Sequence, residues 1–345
     1  MSKILDLRSD TVTRPCKKMR QAMYDALVGD DIMREDPTVF ELESLAAQML
    51  GYEAAMLVVS GTMANQIAVM TFTQRGEEVI VGDKSHIYNL EVAALATLSQ
   101  VQARPVEVVD GEYCIVEMES AIQPAGVQSA TTGLICIENT YDLNSGFPVP
   151  MDNLAKIRQL SKRYGIPVYM DGARLFNAAE SRGVAPSEIC QYADAAQICL
   201  TKGLGAPIGS ILAGSKSFID KARRFKQRIG GGMRQAGIIA APAIYALQNN
   251  ISRIGEDHKN ALRLAEGFAK IEGLFVDPEK VKTNIVSPSI TKEGWSADMF
   301  IEKLGECGIK SKRISESKCR FITHLQVDAE DIEYIIAHVQ AILEE

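Results

Sequence analysis

Two polar residues close consecutive apolar runs 31 residues apart: Asp171 ends "IPVYMD" and Lys202 lies just beyond "AAQICL". Taken singly, each has an ordinary explanation. An aspartate there can form a structural ion pair with Arg174 or start a helix, and a lone lysine beside Gly203 and Gly205 is usually a solvated loop residue. The pair is harder to dismiss. If both runs are neighbouring strands, acid and amine open into one crevice at the strands' carboxyl ends, where α/β sheets hold their ligands. A fixed carboxylate facing a desolvated amine fits a carbonyl-bearing cofactor, pyridoxal phosphate: lysine forms the Schiff base and aspartate keeps the pyridine nitrogen protonated.

Such a cofactor also needs a phosphate cradle. "MLVVSGTMANQIAVM" offers one, with Ser60, Gly61 and Thr62 at a helix start whose free N–H groups attract a dianion. "GGGMRQ", Gly230 to Gln235, is a second candidate through its glycines and Arg234, although alone it reads as a flexible turn. His86 follows "EEVIVGD" and so reaches the same edge, where it could stack on a ring or move a proton. Nucleotide sites are disfavoured. "GLGAPIG" sets its third glycine one position too far for G-x-G-x-x-G, and no phosphate-loop motif of the G-x-x-x-x-G-K type occurs. A metal site is not expected either, because the four histidines (86, 258, 324 and 338) are dispersed.

The elements that must position these groups alternate. "AAMLVVS", "EEVIVGD", "QARPVEVVD", "TGLICIEN", "IPVYMD", "AAQICL" and "GSILAG" read as strands with helices between most of them, predicting an α/β layer around a mostly parallel sheet. Before them, "DPTVFELESLAAQMLG" has helical periodicity, with Thr38 and Glu41 as a capping box and Gly51 as its stop. Helical spacing runs from about 236 to 272, followed by short strand-like pieces ("LFVDP", "TNIVSPSI", "RFITHL") and a terminal amphipathic helix from Asp328 or Ala329. We therefore expect a large domain over 1–245, including an N-terminal segment 1–30, and a smaller C-terminal α+β domain over 246–345. Net charge of -7 with interleaved signs argues against nucleic-acid or membrane partners, and seven scattered cysteines without a C-x-x-C pair suit a reducing cytoplasm. The first residues lack a signal-peptide core, and "AGIIAAPAIYAL" is too short to span a bilayer.

With Asp171, Lys202, Ser60 to Asn65 and "GGGMRQ" together, the chain resembles the threonine aldolase family, in the β-eliminating lyase group of aminotransferase-like fold type I pyridoxal-phosphate enzymes. The likeness runs nearly end to end, through "LDLRSDTVTRP", "GDD" with "EDPT", "SGTMAN", "SHIY", "ENT", "DGARLFNA", "TKGLGAPIGS" and "RFITHL". It implies that Lys202 is the Schiff-base lysine, that Asp171 pairs with the ring nitrogen and that His86 lies over the ring. It also implies that Ser60, Gly61, Thr62, Arg174 and Thr201 hold the cofactor, with Arg234 reaching in from a neighbouring subunit. Ser9, Arg174 and Arg320 would bind the amino acid's carboxylate. Homodimers or homotetramers with shared sites follow from the same likeness, with "GDDIMREDPT" beside a neighbour's pocket.

The departures from the family pattern fall in substrate-facing loops. Met33 and Arg34 replace Tyr-Gly, Tyr141 and Asp142 replace His-Asn, Ala93 and Ala94 replace two glycines, and the stretch from Ile115 to Ile137 contains no histidine. The expected reaction is cleavage of the Cα–Cβ bond of a threonine-type β-hydroxy amino acid to glycine and an aldehyde, with His86 or a water it holds as base. β-Elimination, racemisation or transamination of another amino acid stay open, as do a degenerate cofactor-binding role and a cofactor-free binding module. Arg34 adds a cation near the site and so suggests a substrate with a second acid group, such as 3-hydroxyaspartate.

Overall fold

The computed structural model describes residues 3–344. All seven predicted strands enter one sheet: β1 (Ala54–Val58), β2 (Glu78–Gly82), β3 (Gln102–Val106), β4 (Thr132–Glu138), β5 (Val168–Asp171), β6 (Ala195–Cys199) and β7 (Ser210–Gly214). Their spatial order is β1-β7-β6-β5-β4-β2-β3, and β7 runs antiparallel to both its neighbours. The other six therefore point the same way, and their carboxyl ends share one edge.

Six of the runs are mostly apolar because both sheet faces are covered there; the edge strand β3 is largely exposed. Alternate residues divide between two cores: Leu57, Ile80, Ile135, Met170 and Ile198 face one side, and Met56, Val79, Leu134, Tyr169 and Leu212 face the other. Helices Gly61–Phe72 and Lys216–Arg228 cover the second face, while Pro37–Leu50, Met151–Tyr164 and Gly237–Asn249 cover the first. This is the expected α/β, fold type I arrangement.

A further core joins helices Ile254–Phe268, Ala297–Glu306 and Ala329–Glu344 to short paired strands, among them Cys319–Ile322 between Ile285–Val286 and Lys312–Arg313. Leu5 and Leu7 pack into this core, and Leu5–Asp6 pairs in parallel with Ile309–Lys310. The N-terminus thus straps the C-terminal unit. Asp328 and Asp331 cap the last helix reciprocally, each amide donating to the other's carboxylate at 3.0 Å.

Two local expectations fail. The helix Pro37–Leu50 is capped by Asp36, which accepts from Val39 N, with Pro37 at the first turn; the Thr38 hydroxyl instead donates to Leu27 O. A proline there needs no N–H partner, which favours the earlier start. The 236–272 run is two helices parted by a turn at Ile251–Arg253, where the Asn250 amide donates to Leu204 O. Among the described residues, no helix is long and apolar enough to cross a membrane.

Candidate active site

The shared strand edge opens into a cavity of about 180 Å³ lined by Asp171, Lys202, His86, Glu138, Thr62 and Arg174, among others. Three in-register residues form its floor, because Glu138 on β4 pairs with Asp171 on β5, and Asp171 with Gln197 on β6. Asp171 is buried and its carboxylate takes three donors: Oδ1 accepts from Ala173 N and from the Gln197 amide, and Oδ2 accepts from Asn65 Nδ2 at 2.8 Å. Those donors fix its direction. Lys202 reaches the cavity from the β6–β7 connection; its carbonyl accepts from the Thr13 hydroxyl, and its Nζ has no hydrogen-bond or ion-pair partner among the described residues.

His86 begins a short helix beyond β2. Its backbone N–H donates to Glu138 Oε2 at 2.6 Å, and its Nδ1 lies 2.9 Å from Glu91 Oε1. The bond to Glu91 raises the imidazole above the ordinary histidine value, outweighing burial. Glu138 is displaced the other way for a carboxylate: burial, then the neighbouring Asp171 charge, pushes its carboxyl up to about 8 against the His86 N–H and Lys202. Below about pH 8, burial thus favours Glu138 as the neutral acid.

Arg174 is not the partner of Asp171. It forks onto Asp10, with Nε and Nη2 each 2.8 Å from a carboxylate oxygen, and both residues are buried. Burial would raise the Asp10 carboxyl; the Arg174 charge and hydrogen bonds outweigh it and hold the group below the usual carboxylate range. Asp10→Asn is expected to leave a buried guanidinium without its counter-ion, costing about 3–5 kcal/mol in urea unfolding. A loss under about 1 kcal/mol would show that the pair adds little.

Arg320 is 1% exposed and has no carboxylate partner among the described residues. Its Nη1 and Nη2 donate to Leu143 O and Arg8 O, and its Nε is buried without a partner. Burial, then Arg174, lowers it to about 10. Ser9 caps a short turn, accepting from Thr11 N and Oγ1, beside Asp10.

The helix start behaves as expected. Ser60 caps it through Met63 N, and the first helical backbone bond is Ala64 N–H to Ser60 O, so the Gly61 and Thr62 N–H groups lie at the open end. A Cβ on Gly61 would sit 2.9 Å from Cys199 Sγ, so glycine lets the helix end close on β6. Thr201 lines the cavity, whereas Ser60, Ser9, Arg320, Arg234 and Arg34 do not. Arg234 pairs with Asp30 at 2.8 Å. Arg34 supplies no free cation to its own chain's cavity: it binds Glu43 Oε2 at 2.8 Å and Asp31 Oδ1 at 3.3 Å, and stacks on Phe40. Tyr141 is buried, donating to Asp83 and accepting from Lys84 N.

Sequence reasoning missed Glu138, Gln197, Asn65, Glu91 and Asp10. The first two had a signal. Each is a polar residue in or ending a fully apolar strand, the feature that singled out Asp171.

A family model for beta-eliminating lyases matches residues 6–291. The chain belongs to the beta-eliminating lyase family. Within that family, it is 41% identical over 341 residues to low-specificity L-threonine aldolase 1 of Arabidopsis thaliana, covering 97% of this chain and 95% of the relative. It is 38% identical over 344 residues to the low-specificity L-threonine aldolase of Escherichia coli K12, covering 99% of each. A solved threonine aldolase of Leishmania major shares the fold, with a TM-score of 0.84 at 18% identity over 98% of this chain and 99% of that one.

Beta-eliminating lyases use pyridoxal phosphate. The residues present fit that cofactor: an unpartnered lysine amine faces a three-donor carboxylate, a glycine-opened helix end adjoins them, and the buried Thr140 Oγ1 in the same cavity lacks a hydrogen-bond partner.

The Glu138 proton gives this lyase a pH signature. A folded-state value raised above the ordinary carboxylate range favours the native state fully below about pH 4, and that contribution is lost as pH rises toward 8. Urea unfolding of the cofactor-free protein should show stability falling over that window, with Glu138→Gln, always neutral, flattening the fall. An unchanged slope in the variant would place the buried proton elsewhere.

Proposed function

We propose that this chain is a pyridoxal-phosphate-dependent aldehyde-lyase that splits the Cα–Cβ bond of a threonine- or allo-threonine-type amino acid, yielding glycine and an aldehyde. The observation that carries this reading is the single cavity faced by Lys202 Nζ and the anchored Asp171 carboxylate. The relatives named as threonine aldolases, alike over nearly their whole length, support the choice of bond.

When bound, pyridoxal phosphate supplies the electron sink for the bond that breaks. Lys202 attaches it, and Asp171 holds the proton on its ring nitrogen. Ser60, Gly61, Thr62 and Thr201 hold the phosphate at the positive helix end, with Arg234 contributed by a neighbouring subunit. His86 covers the ring and takes the β-hydroxyl proton directly or through a water. Arg320, a buried cation with an unpartnered Nε, binds the substrate carboxylate with Ser9 and the remaining donors of Arg174.

The chain assembles as a homodimer or homotetramer with sites completed between copies, and acts in the cytoplasm. Exposed Tyr24, Leu27 and Met33, flanking the Asp30–Arg234 pair, suit burial against a second copy.

A panel of β-hydroxy amino acids with products identified by mass tests the reading. Threonine should give glycine and acetaldehyde. Release of a 2-oxo acid, or inversion of the substrate without cleavage, would assign β-elimination or racemisation instead.

A further inference from the structure

Glu91 carries a fully buried carboxylate that no part of the mechanism above uses. Its two oxygens take three contacts: Oε1 meets His86 Nδ1 at 2.9 Å and Asn65 Nδ2 at 2.7 Å, and Oε2 accepts from Gln66 Nε2 at 2.8 Å. Both amides are oriented by further partners. The Tyr169 hydroxyl donates to Asn65 Oδ1 at 2.7 Å, and the Ser99 hydroxyl donates to Gln66 Oε1 at 3.1 Å. Neither amide can turn its oxygen toward Glu91 without losing that bond, so Glu91 is surrounded by donors and acts as an acceptor. A buried anion without a cation is costly, and the group at Oε1 able to bring a positive charge is the imidazole.

Asn65 carries the arrangement further. Its Nδ2 also donates to Asp171 Oδ2 at 2.8 Å, so one amide group joins the carboxylate under His86 to the carboxylate at the cavity floor.

We infer that Glu91 is a positioning residue: its buried carboxylate fixes the His86 ring with the proton on Nδ1, leaves Nε2 to exchange protons, and couples the imidazole through Asn65 to Asp171. The inference rests on the reading of this cavity as the pyridoxal phosphate site. The charged or titratable groups around the ring are Glu91 on its own segment, Glu138 from β4, Asp171 from β5 and Lys202 beyond β6. Of these, Glu91 makes the direct bond to the ring, and Glu138 meets the backbone N–H. Removing the Glu91 charge should therefore weaken proton binding at His86 most.

The test is a pH titration of the holoenzyme labelled with ¹⁵N-histidine, with the His86 signals assigned by their loss in His86→Asn. Above its midpoint, wild-type His86 should show the Nδ1–H tautomer, and Glu91→Gln should lower the midpoint so that proton affinity falls about tenfold or more. An Nε2–H tautomer in the wild type, or an unmoved midpoint in Glu91→Gln, overturns the inference. If Glu91→Gln does not fold, the wild-type tautomer alone decides. Borohydride reduction of the same sample separates the two readings: a chromophore fixed on the chain with an unmoved midpoint defeats only the role of Glu91, whereas no fixed chromophore defeats the reading of the cavity.

Discussion

Lys202→Ala should lose at least about 10³-fold in turnover of every amino acid the wild type accepts, equivalent to about 4 kcal/mol or more of transition-state stabilisation. The size of the effect follows from what the cavity offers. Lys202 is the amine aimed into it with no partner of its own, and no other lysine lines the cavity to replace it. Alanine also removes the atom through which borohydride would fix the chromophore, so activity and covalent capture should vanish together while far-ultraviolet circular dichroism stays native. Residual turnover near the wild-type rate, or a chromophore still captured on the variant, would move the attachment point elsewhere.

Asp171→Asn should cost about 10²-fold or more in kcat, about 3 kcal/mol, with a much smaller change in cofactor capture. The aspartate receives donors on both oxygens, from Ala173 and Gln197 on one side and Asn65 on the other. Asparagine must turn its own NH₂ toward one of those sides, setting donor against donor, and it cannot balance a pyridinium charge. Lys202 is untouched, so borohydride trapping should persist. Turnover within a few-fold of wild type would show that the proton on the ring nitrogen is held by another group.

The sheet was legible because strands buried on both faces appear as apolar runs, as six of the seven do; the seventh, the edge strand Gln102–Val106, is largely exposed and was read from its alternation with helices. That Asp171 and Lys202 would line one cavity needed only the rule that parallel strands share a carboxyl edge. What stayed hidden depended on contacts between distant segments. Nothing near "RSDT" announces that Asp10 will meet Arg174, 164 residues away, so Arg174 was first given to its near neighbour Asp171. Glu91 is five residues from His86, but the turn beyond it holds Val92 and Ala93 at φ +53° and +57°, a left-handed conformation that their side chains do not advertise. The ion pairs of Arg34 were hidden for another reason: a cation's charge says nothing of whether Glu43, nine residues on, already binds it.

β7 is the reversed strand of the sheet, and Ser210 at its start stands opposite Cys199 at the end of β6. Lys202 is consequently carried on a hairpin whose two legs are hydrogen-bonded in register, and not on a crossover into a helix. Gly205 and Gly209, at φ +73° and +109°, make so short a return possible. A lysine carried this way has little freedom to wander, because both ends of its tether are clamped to neighbouring rows of the same sheet. If Lys202 holds pyridoxal phosphate as proposed, its amine would stay beside the same cavity throughout the reaction.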